Sequence, residues 1–74
     1  MKKDKTEDKT LMEGLIDEMN RVRELIIEYK GLPNGVGLTG ASLMQLDIGY
    51  AERAIVQDNV IDMLKAYEKL KSCQ

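Results

Sequence analysis

The sequence predicts an all-α fold, a small three-helix bundle built on an antiparallel helical hairpin. Apolar residues recur at every third or fourth position over residues 10–30, 41–56 and 59–72, the period of one helix face. Four of the six glycines fall in a single stretch, 31–40, which separates the first two periodic segments. The chain has 74 residues, enough for one domain, 10–74, behind a polar leader. A core of this size is thin. Cys73 is the lone cysteine and there is no histidine, so neither an intrachain disulfide nor a zinc site can reinforce it. Good packing or self-association is left as the source of stability.

Residues 1–9 are charged and aperiodic and read as a disordered tail. They lack the apolar run of a signal peptide, and no stretch approaches the roughly 20 apolar residues of a membrane span. The expectation is a cytoplasmic protein without a membrane partner.

The first helix starts at Thr10, which forms a capping box with Glu13. Met12, Leu15, Met19, Val22, Ile26 and Tyr29 then follow at alternating three- and four-residue spacing, and Leu11, Ile16 and Leu25 widen the stripe. Gly31, able to take a left-handed cap, and Pro33 end the helix. Pro33-Asn34-Gly35 is a turn signal, with Asn and Gly tolerating positive φ. The apolar Leu32, Val36 and Leu38 are expected to fold the loop back on the helices.

The second helix runs over 41–56, capped by Thr39 or Ser42. At about 100° per residue, Leu43, Met44, Leu46, Ile48, Tyr50, Ala51, Ala54 and Ile55 form one apolar arc, with Asp47 projecting from its middle. Gln57-Asp58-Asn59 interrupts the pattern, and Asp58 is the expected N-cap of a third helix over 59–72. That helix carries Val60, Met63, Leu64, Tyr67 and Leu70 inward. One continuous helix from Ala41 to Ser72 is the alternative, because neither glycine nor proline stands at the junction to break it.

Net charge is −2, with Lys and Arg interleaved with Asp and Glu. There is therefore no basic face for phosphates. Three tyrosines without Phe or Trp offer few stacking platforms for bases. Direct nucleic-acid binding is not expected. Nor is catalysis: the chain has no histidine, Ser42 has no base beside it, and acidic pairs such as Asp17-Glu18 fall on a polar face. No catalytic, metal or cofactor-binding residue is assigned.

Two constellations remain. The loop residues Asn34, Gly35, Gly37, Thr39 and Gly40 precede a helix whose free N–H groups could meet an anion or a partner, although the Walker lysine is missing. A structural interhelix turn is the other reading. Arg23 and Asp47 both lie about 10 Å from the loop at ~1.5 Å per residue. They are a candidate buried ion pair, fixing register within the chain or lying across a dimer interface, with a ligand-facing Asp47 carboxylate as the third reading.

Leu32-Pro33-Asn34-Gly35, followed by a helix with Tyr50-Ala51 and Ala54-Ile55, resembles small phage helical-hairpin proteins that sequester cyclic nucleotides of bacterial immune signalling. The resemblance covers Leu32 to Val56 and implies a phage-encoded nucleotide binder. This chain departs from it after the turn, where Val36-Gly37-Leu38 stands in place of charged residues, so no phosphate-binding Arg or Lys carries over. The residues themselves favour a non-enzymatic adaptor or inhibitor. It would be a homodimer that binds an unidentified protein through an apolar helical surface. A small-ligand or nucleotide binder using the Gly-rich loop is the alternative.

Overall fold

Leu11–Lys30 (α1), Leu38–Val56 (α2) and Val60–Lys71 (α3) are the helices of the computed structural model, which describes residues 10–74. The bundle is all-α, and each helix packs on the other two. The reading of 1–9 as a disordered tail lies outside the described residues.

α1 opens on the expected capping box. The Glu13 N–H donates to Thr10 Oγ1 at 3.1 Å, and the Thr10 N–H donates to Glu13 Oε1 at 3.1 Å. Such a cap contributes about 1 kcal/mol. The middle of the apolar stripe is the buried face, Leu15, Met19, Val22 and Ile26, with Met12 and Tyr29 half-buried at its ends.

The loop differs from expectation in three ways. Gly31 is right-handed, with φ −83°. The left-handed residues are Asn34 (φ 61°) and Gly35 (φ 70°), in a 3-10 turn at Pro33–Gly35. Leu32, Val36 and Leu38 stay 43%, 70% and 52% exposed instead of folding inward. What packs inward is the backbone of Gly37, which is buried. A Cβ there would lie 2.1 Å from the Tyr29 carbonyl oxygen, and one on Gly40 would lie 2.8 Å from the Tyr29 ring. Lying flat on the end of α1, the chain enters α2 at Leu38, three residues before Ala41. Gly37 is its N-cap, and neither Thr39 nor Ser42 fills that place.

α2 buries Ala41, Met44, Ile48, Ala51 and Ala54. Leu43 and Leu46, expected inside, are 58% and 68% exposed. The buried seam is rich in alanine, with Met44 and Ile48 as its large members, and α2 turns Leu43 and Leu46 away from its neighbours.

The break before α3 is present, and the chain is not one continuous helix from 41 to 72. Asp58 takes φ 54°. Its N–H donates to the Ile55 carbonyl at 3.0 Å, and the Asn59 N–H donates to the Ala54 carbonyl at 3.0 Å. This pair of bonds is a Schellman motif, usually closed by glycine. Asp58 thus ends α2, and Asn59, not Asp58, caps α3 by accepting from the Asp62 N–H at 3.1 Å. α3 buries Met63, Ala66 and Leu70, while Val60 and Leu64 are 56% and 50% exposed.

Arg21 and Tyr29 fasten α3 to α1. Arg21 Nη2 donates to the Leu70 carbonyl at 2.7 Å, which also accepts from the Cys73 N–H at 3.1 Å, and Nη1 donates to the Cys73 carbonyl just past the helix at 3.2 Å. The Tyr29 hydroxyl donates to the Gln74 carbonyl.

Candidate interaction surface

The two constellations read from the sequence take different places. Arg23 pairs not with Asp47 but with Glu52, Nη2 to Oε2 at 3.1 Å, and its Nη1 donates to Asn20 Oδ1 at 3.1 Å. Both members of the ion pair are largely exposed, 44% and 55%, and surface pairs of this kind contribute about 0–1 kcal/mol. The expected buried pair fails on azimuth. Depth along the hairpin matches, but Arg23 sits at the α1–α2 margin, while Asp47 sits at the opposite edge of the α2 seam, beside the end of α3.

Asp47 is half-buried there and faces Cys73, whose Sγ lies 3.8 Å from Oδ2. Burial pushes the Cys73 thiol above its ordinary pKa, and the Asp47 carboxylate pushes it further. The neighbouring Tyr50 hydroxyl donates to Asp62 Oδ1 at 3.0 Å. Loss of water, then that hydrogen bond, raises the Tyr50 pKa. These groups are held in their protonated forms and tie α3 to α2.

The loop residues serve packing. Asn34 and Gly35 supply positive φ, and Gly37 and Gly40 let the chain touch Tyr29. Thr39 is exposed on the first turn of α2. Among the described residues no polar side chain is buried, and no group of His, Cys, Asp or Glu is arranged to hold a metal ion. Among the described residues no helix is long and apolar enough to cross a membrane.

The surface carries many large apolar side chains. Ile16, Ile27, Leu32, Val36, Leu38, Leu43, Leu46, Val56, Val60, Ile61 and Leu64 are all more than two-fifths exposed. Single exposed leucines are ordinary, but these are grouped. At about 100° per residue, Leu43 and Leu46 share the outer face of α2. Val60, Ile61 and Leu64 share one side of α3. Farther along the α2 face, Gly49, Glu52, Arg53, Val56 and Gln57 line a shallow depression.

Sequence reasoning missed this division because it placed large side chains inside by hydrophobicity. The signal was available. Ala41, Met44, Ile48, Ala51 and Ile55 run at spacings of 3, 4, 3 and 4, a complete seam without either leucine. The chain matches no family model, no curated protein and no solved structure.

Proposed function

We propose that this chain is a non-enzymatic interaction protein, an adaptor or inhibitor of the cytoplasm that binds another protein through its exposed apolar helix faces and associates with itself. The observation that supports this reading is the grouping of Val60, Ile61 and Leu64 on α3 and of Leu43 and Leu46 on α2, all at least half exposed. Apolar patches larger than a few hundred Å² usually mark a surface that a partner covers. The two helix faces differ in framing. Lys65 and Glu68 border the α3 group, giving it the polar rim common at transient interfaces.

The test is affinity capture from the native host with the tagged wild-type chain and with an Ile61→Asp, Leu64→Asp variant, followed by mass spectrometry. Both substitutions fall on exposed positions, so the variant should keep its helical circular dichroism and lose the captured protein. A protein captured equally by both forms would remove α3 from the binding surface. Capture of no protein by the wild type would remove the reading.

A further inference from the structure

The outer face of α2 carries a projection and a recess of matching position. Leu46 projects, 68% exposed, with Leu43 one turn before it. The depression bounded by Gly49, Glu52, Arg53, Val56 and Gln57 lies one to three turns after it. Leu46 and Arg53 are seven residues apart, so both point the same way from the helix. Gly49 lies between them, and its missing side chain makes the recess. A Cβ there would find only the Arg53 guanidinium, at 3.6 Å.

A projection and a recess on one face are what a two-fold symmetric contact requires, because each patch must complement a copy of itself. We infer that a second copy of this chain seats on the outer face of α2, antiparallel, with Leu46 of each copy in the other's Gly49–Val56 recess. Placing Leu46 opposite the position of Arg53 sets the register. The two-fold axis then passes beside Gly49 and Tyr50, Leu43 meets Val56 of the partner copy, and Ser42 lies opposite Gln57. The glycine stands at the crossing point, where a side chain would hold the helices apart. The Arg53 stem packs along the partner's leucine while its guanidinium stays in water.

A heterologous partner could cover the two leucines, but it would have to bring its own recess and its own projection. A second copy brings both. The area sets the strength. Leu43, Leu46 and Val56, at 58%, 68% and 85% exposure, offer roughly 130–250 Å² of apolar surface, taking ~25 cal/mol per Å² and the usual side-chain transfer energies. With the flanking stems the face falls short of the ~800 Å² per partner of a standard interface. The dimer is therefore weak, with a dissociation constant of roughly 1–100 μM. This inference deepens the self-association part of the proposed function and leaves α3 free for a different protein.

Sedimentation equilibrium across that range gives the first measurement, with a mass rising from monomer to dimer expected. Leu46→Glu should weaken association at least tenfold and keep the fold, since the side chain is exposed. Gly49→Leu separates shape from stability. It replaces a helix-interior glycine whose Cβ would make only ordinary contact with the flexible Arg53 side chain, so the melting temperature of the dilute monomer should rise by roughly 2–8 °C, while the filled recess weakens association at least tenfold. In a Cys73→Ser background, Ser42→Cys mixed with Gln57→Cys should form an intermolecular disulfide on mild oxidation, and neither should do so alone. A monomer mass throughout, or a dimer that survives both Leu46→Glu and Gly49→Leu, overturns the proposal. So does cross-linking of either cysteine variant with itself. None of these outcomes depends on capture by α3, which the Ile61→Asp, Leu64→Asp variant reads separately.

Discussion

Gly37→Ala should be among the most damaging small substitutions in the chain, although it adds one methyl group to a loop. The new Cβ would sit 2.1 Å from the Tyr29 carbonyl oxygen and 2.8 Å from its carbonyl carbon, where non-bonded heavy atoms need about 3.5 Å. The loop must lift by more than an ångström from the end of α1. Backbone conformation adds nothing to this, because φ at Gly37 is −96°, open to any residue. A contact as short as 2.1 Å belongs at the upper end of overpacking costs, about 2–3 kcal/mol, against a gain of about 0.4–1 kcal/mol from the stiffer unfolded chain. At about 4–8 °C per kcal/mol for a domain of this size, the melting temperature should fall by roughly 4–20 °C.

Two companion variants make the reasoning specific. Gly40→Ala also meets Tyr29, but at the ring carbons Cδ2 and Cε2, 2.8 and 2.9 Å away. Removing the ring with Tyr29→Ala should relieve that clash and cannot relieve the one at Gly37, which is with main chain. A double-mutant cycle with Tyr29→Ala should therefore show favourable coupling for Gly40→Ala, within the usual range of about 0.5–3 kcal/mol, and little for Gly37→Ala. Gly14→Ala is the control. Its Cβ would make ordinary contact with Tyr67 at 3.6 Å, and it should stabilise by up to about 1 kcal/mol through helix propensity. Thermal melts followed by circular dichroism, with urea titrations for the free energies, make the measurement. If Gly37→Ala melts within about 2 °C of the parent, a shift worth less than about 0.5 kcal/mol, the loop does not rest on the Tyr29 carbonyl. The glycines then need an explanation other than packing.

Other consequences can be tested alongside. Ile48→Ala should cost about 2–5 kcal/mol in urea unfolding, since Ile48 is only 1% exposed, whereas Leu46→Ala at monomer dilution should change stability by less than about 0.5 kcal/mol. Asp58→Gly should stabilise by about 0.5–1 kcal/mol, because glycine takes the φ of 54° without the Cβ penalty. Arg21→Lys should lose about 1 kcal/mol despite the retained charge, because lysine cannot span the Leu70 and Cys73 carbonyls together. The Cys73 pKa is raised in the fold from its ordinary 9.0. Its contribution is thus complete below pH 9.0 and is lost as pH rises through the folded value, the unfolded thiol ionising first. Cys73→Ser should flatten that part of the melting profile. Asp47→Asn should speed alkylation of the folded thiol by removing the carboxylate that faces it.

The fold was legible where a single local rule governs. The Thr10–Glu13 capping box, the α1 stripe, the Pro33-Asn34-Gly35 turn and the interruption at 57–59 each depend on residues within one or two turns of each other, and each is in the structure. Other features depended on what a segment meets in space. The start of α2 is set by the Tyr29 carbonyl under Gly37, far outside the window in which a cap is judged. The Arg21 bonds to α3 span about fifty residues and leave no trace in periodicity. The expected Arg23–Asp47 pair used the correct hairpin and the correct depth but ignored azimuth. Asp47 faces α3, so Arg23 is left to Glu52.

The division of α2 into an alanine seam and a leucine face also bears on how the molecule remains folded. Four of the twelve buried apolar side chains are alanines. Each lets helix axes approach closely but removes little apolar area from water, so this core is weak for its length. Leu43, Leu46, Val60, Ile61 and Leu64 carry further transferable area, and half or more of each is still in water. A sequence could have turned these leucines inward and made a thicker, more stable monomer. If a second copy covers Leu43 and Leu46 as proposed, their outward placement moves stabilisation from folding to association, where it grows with concentration by mass action. Melting temperature should then rise with protein concentration for the parent and stay flat for Leu46→Glu, with equal values for the two at high dilution. A parent whose melting temperature is the same over a hundredfold range of concentration would show that the buried seam alone carries the stability.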